Sequence, residues 1–224
     1  MRDKLDRYYT DPRVAQACVE VMIEAKIHHS ITRIPGRYRG ALFIEPSSGG
    51  GAFLDALEAV RRDTRSRWTG VAPWERPVSA RWHQSASLDD NPNAYAYDID
   101  PEAVTVKDGR AVCMDWLDVQ ELPGTERDYR IVFGNPPYKH AQEHIEHAFA
   151  LGADEVWFLL RTGFTGSLRR YDMHRECGLM HKSELVPRPS FTGDGKTDGS
   201  EYAFFGYCHG FDGVKTFDIV RWRE

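Results

Sequence analysis

Cysteines are few in this sequence, and none of them lies at the spacing of a metal or redox motif. Cys18, Cys113, Cys177 and Cys208 are widely separated and form no CxxC pair, so neither a disulfide framework nor a cysteine zinc site is expected. Long apolar runs are also missing, since none approaches the roughly 18 residues of a bilayer span. The start, Met1 to Asp6, is charged and has no apolar signal segment. These absences predict a cytoplasmic protein without membrane contact.

The chain also has no excess of positive charge. Its formal net charge is -5 and 28% of its residues are charged, which excludes a uniformly basic coat for nucleic acid but not a local basic face. With 224 residues, 41% of them hydrophobic, the chain can bury one good core. We therefore expect a single domain over residues 1–224.

Helical and strand patterns alternate along most of the chain. The first helix is predicted after Thr10 or Asp11, either of which can cap it, with Pro12 in its first turn. Buried strands are predicted at Ala41–Glu45, Ala94–Asp98, Ala111–Met114, Arg130–Gly134 and Glu155–Leu160. Further helices are predicted at Ala52–Arg62, Pro101–Lys107, Ala141–Ala150 and, more weakly, Ser167–Glu176. This alternation predicts an α/β fold with a mainly parallel, doubly wound sheet.

Two regions depart from that alternation. Strands are predicted at Ser183–Val186, Tyr202–Cys208 and Phe217–Trp222 without helices between them, which indicates a C-terminal antiparallel strand pair at one edge of the sheet. Residues 63–93 form an insertion rich in arginine and tryptophan with no clear period. Loops this long are usually functional or disordered, so this insertion is either a candidate DNA contact or a purely structural loop.

A glycine turn follows the first predicted strand. Residues Glu45 to Gly51 read EPSSGGG, and glycines at such a point allow the backbone to approach a ligand closely. The turn lacks the GK[ST] ending of a P-loop and does not match the dinucleotide motif GxGxxG. From the residues alone, a plain tight turn and a ligand-binding turn remain open.

Acidic side chains follow the next two strands. The second strand ends at Asp98, where carboxylates in such folds hold ribose hydroxyls, and the third is followed by Asp115 and Trp116. Because the carboxyl ends of parallel strands meet at one edge, these side chains are expected close together, with Asp115 and Trp116 placed to bind and sandwich an adenine ring. Each acid alone could equally be a helix cap.

The fourth strand leads into the most specific motif of the chain, Asn135-Pro136-Pro137-Tyr138. Two prolines make the backbone rigid and extended and leave their carbonyls as fixed acceptors. Asn135 adds a side-chain carbonyl, and Tyr138 adds a flat aromatic face.

Together these motifs resemble those of S-adenosylmethionine-dependent amino-group methyltransferases. NPPY is the catalytic signature of that family, EPSSGGGAFL resembles its methionine-binding turn, and YDID at residues 97–100 resembles its ribose-binding strand end. YYTDP at residues 8–12 resembles the segment that closes over the methionine part of the cofactor. The motif order is that of the gamma group of DNA adenine methyltransferases, and the tail from RPSF at residues 188–191 to EYAFF at 201–205 resembles small phage-type members.

The resemblance implies a Rossmann-like class I methyltransferase fold. The sequence departs from the family in that no separate target-recognition domain is expected. The resemblance implies that S-adenosylmethionine is the cofactor and S-adenosylhomocysteine the product, with no metal required, and that DNA is the partner of a monomer or homodimer in a bacterial or phage-infected cell. The residues implied to bind the cofactor are Tyr9, Thr10, Glu45, Pro46, Ser47, Gly49, Gly51, Phe53, Asp98, Ile99, Asp115, Trp116 and Asn135. The residues implied in catalysis are Asn135, Pro136, Pro137 and Tyr138.

The chemistry of an adenine amine explains why such residues are needed. Its lone pair is delocalised into the ring, and the carbonyls of Asn135 and Pro136 can accept its two hydrogens and localise that pair. A base inside a duplex must be flipped out to reach such a pocket. Tyr138 is expected to stack on one face of the flipped adenine, and Phe191 on the other unless it is a core residue.

Other substrates remain open at this point. RNA adenine and a protein glutamine amide offer the same planar, delocalised nitrogen, and a non-catalytic nucleic-acid-binding subunit is a further alternative. The YYTDP and RPSF segments favour DNA, and Asn135 argues against a cytosine-N4 enzyme, which usually has Ser there. The lack of a recognition domain predicts a short or relaxed target sequence.

Two sets of basic or histidine residues can each be interpreted either as a functional site or as a solvated helix surface. His140, His144 and His147 have helical spacing, but a solvated helix explains them better than a metal site. Arg169, Arg170 and Arg175 could touch phosphates or form a solvated helix face. Acidic residues concentrate between Asp89 and Asp128, whereas residues 161–188 are net basic, which makes that segment a candidate DNA face.

Overall fold

The structure is a computed structural model that describes residues 10–28, 40–67, 94–101, 111–126, 128–191 and 199–223. In these ranges the helices are α1 (Pro12–His28), α2 (Ala52–Arg67), α3 (Ala141–Ala150) and α4 (Tyr171–Glu176). The strands are β1 (Gly40–Glu45), β2 (Ala94–Asp98), β3 (Ala111–Cys113), β4 (Asp128–Gly134), β5 (Glu155–Arg161), β6 (Leu179–Val186), β7 (Tyr202–Cys208) and β8 (Thr216–Arg221).

The strands form one sheet in the order β3-β2-β1-β4-β5-β7-β6-β8. The pairs from β3 to β5 are all parallel, whereas β7 runs antiparallel to both β5 and β6. This confirms the predicted α/β fold with a mainly parallel sheet and a C-terminal antiparallel pair. The pair lies one strand in from the edge, because β8 adds to the far side of β6 in parallel.

Side chains alternate between the two faces of the sheet and create two cores. Phe43, Ile131 and Phe133 face α1 and α2, whereas Ile44 and Val132 face α3 and α4. Since the central strands are covered on both sides, they read as nearly continuous apolar runs.

Most predicted elements agree with the structure to within a few residues. Asp11 caps α1 by accepting a 2.9 Å hydrogen bond at Oδ1 from the amide of Arg13, as a helix N-cap requires. The second helix continues to Arg67, past the predicted end at Arg62, because no glycine or proline interrupts it. The predicted helix Ser167–Glu176 is instead a 3-10 helix at Leu168–Arg170 followed by α4.

Two predicted regions lie largely outside the described residues. Residues 102–110 contain most of the predicted helix Pro101–Lys107, and residues 68–93 contain most of the insertion.

Gly206 is the point where the sheet tolerates no side chain. It lies in β7 opposite Trp157 of β5, and a Cβ at Gly206 would come within 2.6 Å of the Trp157 ring. Gly206→Ala is therefore expected to destabilise the fold by about 1–3 kcal/mol, measurable by thermal unfolding. Gly166→Ala is the matched control, since a Cβ there meets nothing within 4 Å. Equal melting temperatures for the two variants would contradict this packing argument.

Candidate active site

The parallel direction of β1 to β5 brings their carboxyl ends to one edge of the sheet. Two cavities open along this edge, a smaller one of about 160 Å³ and a larger one of about 860 Å³. Six of the predicted cofactor residues line the smaller cavity, namely Thr10, Glu45, Ser47, Gly49, Phe53 and Asn135. Tyr138 lines the larger cavity, so the Asn135–Tyr138 turn lies between the two.

Asn135 directly follows β4, and its side-chain amide is oriented by the segment that precedes α1. Its Nδ2 donates a 3.0 Å hydrogen bond to Thr10 Oγ1. Its Oδ1 is buried and accepts no hydrogen bond from the described residues. A buried carbonyl without a donor is costly, so this oxygen is available to a donor that a substrate would bring.

The glycine turn is held by hydrogen bonds to the end of β2. Gly49 and Gly51 have φ angles of +48° and +78°. Residues other than glycine adopt such positive φ angles only with strain. The amide of Ser48 donates to Tyr97 O at 3.0 Å, and the amide of Gly49 donates to Asp98 Oδ2 at 2.8 Å. Asp98 Oδ1 accepts from the amide of Asp100 at 2.9 Å. The carboxylate of Asp98 therefore fixes the turn, and its remaining lone pairs can still accept.

Glu45 is a buried acid at the end of β1. It is 1% exposed, and its Oε2 has no hydrogen-bond partner among the described residues. Burial raises the pKa of the Glu45 carboxyl well above its ordinary value, and the nearby charges of Asp98 and Asp55 raise it further. A cationic group bound in the adjoining cavity would stabilise the ionised form of this carboxyl group.

Gly134 is a position with a structural role beside the candidate site that the sequence analysis did not assign. Its φ is +139°, and a Cβ there would lie 3.2 Å from Glu45 Cγ and 3.5 Å from Glu45 Oε1. The absence of a side chain lets β1 and β4 hold Glu45 beside the Asn135 turn. The sequence signal that could have identified Gly134 is its place directly before the NPPY motif.

Two exposed apolar side chains flank the ends of β2 and β3. Ile99 is 55% exposed and Met114 is 42% exposed, and the amide of Met114 donates to Asp98 O at 2.9 Å. Ile99 belongs to the predicted cofactor residues, whereas Met114 was missed because a methionine at a strand end reads as core. Their positions leave apolar surface at the edge where a flat ring can bind.

The structure places Trp116 in the core and Asp115 at the start of a 3-10 helix. The indole of Trp116 is 1% exposed, packs near Tyr97 and His147 with centroid distances of 5.6 Å and donates to His144 O at 3.4 Å. Asp115 caps the 3-10 helix Trp116–Asp118 by accepting from the amide of Leu117 at 3.0 Å. The prediction that Trp116 sandwiches an adenine ring does not fit this burial, because a core indole has no free face.

The placement of Phe191 also differs from the prediction. Its ring is 9% exposed and lies 4.7 Å, edge-on, from the ring of Tyr202. Tyr202 is itself buried and lies 5.5 Å from the Tyr138 ring. Since Tyr202 packs against both rings, Phe191 belongs to the core under Tyr138, and stacking of Phe191 on the second face of a target base does not fit this arrangement.

The other predicted residues form the frame of the site. Pro46 and Pro136 are buried, and Pro137 O accepts from the amide of His140 at 2.9 Å, which fixes the NPPY turn. Gly51 accepts from the amide of Asp55 at 2.9 Å at the start of α2. Tyr9 lies outside the described residues.

Solved structures with the same fold include methyltransferases. The Type I restriction enzyme EcoKI M protein matches with a TM-score of 0.57 at 14% identity, over 94% of this chain and 46% of its own. The 23S rRNA methyltransferase ErmE matches with a TM-score of 0.52 at 12% identity, over 91% of this chain and 70% of its own. This chain has a class I methyltransferase fold.

Restriction-modification enzymes of larger size share this class I methyltransferase fold. A nuclease-deletion mutant of the Type ISP enzyme LlaGI, in complex with a DNA substrate mimic, matches with a TM-score of 0.61 at 12% identity. The match covers 97% of this chain but 28% of the LlaGI chain. The chain thus spans less than a third of that enzyme and under half of the EcoKI M protein. No protein-family model matches the chain, and no curated protein is similar to it in sequence.

Histidines next to the candidate site have structural contacts. His144 Nδ1 lies 2.9 Å from His140 O, and burial lowers the pKa of His144 to about 4. His147 Nε2 lies 3.0 Å from Val119 O. In the described ranges, no three His, Cys, Asp or Glu side chains come together as candidate metal ligands. No helix there is both long and apolar enough to cross a membrane.

Proposed function

We propose that the protein transfers a methyl group from S-adenosylmethionine to the N6 amine of an adenine in DNA. The observation that carries this proposal is the position of the Asn135–Tyr138 turn between two cavities at one edge of the sheet. A donor bound on one side and an acceptor bound on the other meet at Asn135. Methyl transfer between two bound molecules needs this juxtaposition, because alignment supplies much of the rate.

The smaller cavity and its surroundings suit the cofactor. Glu45 offers an unpaired buried carboxylate oxygen, which suits the ammonium of the methionine part. Asp98 can accept from ribose hydroxyls, and Ile99 and Met114 offer exposed apolar surface for the adenine ring. When bound, the cofactor supplies a sulfonium methyl group that is already activated for transfer.

The Asn135 turn suits the acceptor amine. Asn135 Oδ1 has no described donor, and the carbonyls of Asn135 and Pro136 would each accept one N6 hydrogen. These two acceptors turn the nitrogen lone pair out of conjugation and stabilise the positive charge that develops on nitrogen. The proton then leaves to water, so no strong base is required.

Tyr138 provides the flat surface for a base that has left the duplex. Its ring lines the larger cavity, and a base–aromatic stack of this kind contributes roughly 1–3 kcal/mol. The flipped base is thereby held with its amine at Asn135. We propose that the domain over residues 1–224 performs this reaction.

Transfer of tritium from labelled S-adenosylmethionine to DNA, RNA and protein, measured in parallel, tests the proposal. Label is expected in DNA, and digestion to nucleosides is expected to place it in N6-methyladenine. Label only in RNA, or only in a protein glutamine, would assign the same site to another acceptor. Cofactor binding without transfer to any acceptor would instead indicate a non-catalytic subunit.

A further inference from the structure

Positive charge concentrates around the larger cavity. Three cationic side chains line it, Lys139, Arg161 and Arg170, and Glu201 is the one acid among the described residues of its lining, although the whole chain has a formal net charge of -5. Its volume of about 860 Å³ exceeds what one purine base occupies and leaves room for the attached sugar and phosphate. A cationic rim around such a space attracts a polyanionic strand.

The three cations are not equivalent. Arg170 Nη1 donates to Phe164 O at 3.0 Å, and its guanidinium carbon lies 4.4 Å from the Phe164 ring centroid. These contacts hold Arg170 against the wall of the cavity. Lys139 and Arg161 are exposed, whereas Arg170 is half-buried.

Arg161 is fixed close to the surface where the target base would stack. It is the last residue of β5, in register with Tyr202 of β7, and the Tyr202 ring packs 5.5 Å from the Tyr138 ring. The Arg161 guanidinium carbon lies 5.6 Å from the Tyr138 centroid. A base that stacks on Tyr138 therefore arrives beside this guanidinium.

We propose that Arg161 and Lys139 bind the DNA phosphates that flank the flipped nucleotide, an inference that rests on the proposed function. Lys139 follows Tyr138 directly in the chain, and the Arg161 guanidinium lies over the Tyr138 ring. Both positive charges therefore lie next to the residue that would hold the base. A guanidinium binds a phosphate through two parallel hydrogen bonds, and a lysine binds it as a point charge.

The salt dependence of DNA binding tests this assignment. Fluorescence anisotropy of a labelled duplex, measured across a salt series, gives the slope of log Kd against log salt for the full chain. Each lost phosphate contact is expected to make the slope shallower by about 0.9. Arg161→Gln and Lys139→Gln are each expected to show that change, and the double variant about twice that change. Arg161→Lys is expected to retain the slope, because the charge is kept.

Arg175→Gln is the matched control, and it also decides between the two interpretations of Arg175 that the sequence leaves open, a phosphate contact and a solvated helix face. The Arg175 guanidinium lies 5.7 Å from the Tyr171 ring, the same type of pair as Arg161 and Tyr138, but Arg175 is on α4 and does not line the cavity. Its slope is expected to equal that of the wild type. An equal loss of slope in Arg175→Gln and Arg161→Gln would overturn the proposal in favour of diffuse surface binding.

The outcomes separate this inference from the proposed function. Methylation of DNA by the wild type, together with an unchanged slope in the double variant, overturns the phosphate assignment alone. Binding and methylation of RNA alone, with a loss of about 0.7 per contact for single strands, overturns the DNA substrate and supports the assignment of Arg161 and Lys139 to phosphates. Failure of the wild type to bind any nucleic acid overturns both.

Discussion

Replacing Asn135 with alanine is expected to lower the rate of methyl transfer by about 10²–10³-fold, the usual effect of removing one group that stabilises developing charge. The variant loses the Oδ1 acceptor that would polarise the target amine. Folding is expected to be retained, because Asn135 is only partly buried and makes one described side-chain hydrogen bond, to Thr10. The measurements are single-turnover transfer to DNA and thermal unfolding.

Thr10→Val is the control for this prediction. It removes the 3.0 Å hydrogen bond that orients the Asn135 amide but keeps the carbonyl itself. A loss of transfer smaller than that of Asn135→Ala is therefore expected. Turnover by Asn135→Ala within a few-fold of the wild type would rule out the assigned role of the Asn135 carbonyl.

Glu45→Gln is expected to stabilise the protein in the absence of cofactor and to weaken cofactor binding. A buried carboxylate with one oxygen unpaired is costly, and the amide removes the charge with little change in the volume of the side chain. In a chain of this size, each kcal/mol gained raises Tm by about 2–4 °C. Loss of the carboxylate that, in the proposed function, would face the cofactor ammonium is expected to weaken binding by about 2 kcal/mol or more, roughly 30-fold. Thermal unfolding and calorimetry measure the two effects.

The pH dependence of stability follows from the same carboxyl group. Burial raises the folded-state pKa of Glu45 well above its ordinary value of 4.5, so the native state keeps a proton that the unfolded chain releases. The contribution of Glu45 to stability is fully present below that ordinary value and is lost as pH rises through the raised one. The Tm advantage of Glu45→Gln over the wild type is therefore expected to increase with pH above 4.5.

Glu155→Gln is the contrasting control. Glu155 is also fully buried, but its carboxylate accepts from Tyr129 Oη and Trp157 Nε1, each at 2.7 Å. A glutamine side chain has only one oxygen, so it can accept from one of these two donors, and its NH2 group then meets the other donor. Destabilisation is therefore expected, with little change in cofactor affinity. A lower Tm for Glu45→Gln than for the wild type at neutral pH would refute the view that the buried carboxylate of Glu45 destabilises the protein in the absence of a ligand.

Much of the site could be predicted from sequence because its residues follow strands directly. A parallel sheet places every strand's carboxyl end at one edge, so Glu45, Asp98 and Asn135 had to meet once β1, β2 and β4 were recognised. Backbone-conformation requirements are equally local. Gly49 and Gly51 were readable as turn residues because positive φ angles select glycine.

The roles of aromatic residues could not be predicted in the same way. Trp116 and Phe191 are suitable for stacking by residue type, but whether a ring has a free face depends on which elements pack over it. Here α3 and Tyr97 cover Trp116, and Tyr202 lies against Phe191. Burial is a property of long-range packing, and no local pattern encodes it.

The sequence by itself determined the α/β class, the strand–turn–helix units and the acids, glycines and NPPY turn at the strand ends, because each depends on local periodicity or backbone sterics. Only the tertiary structure decided that β8 joins β6 in parallel, that Gly134 leaves space for Glu45 and that Arg161 lies over Tyr138. These contacts join residues far apart in the chain, and their geometry follows from the packing of the whole sheet.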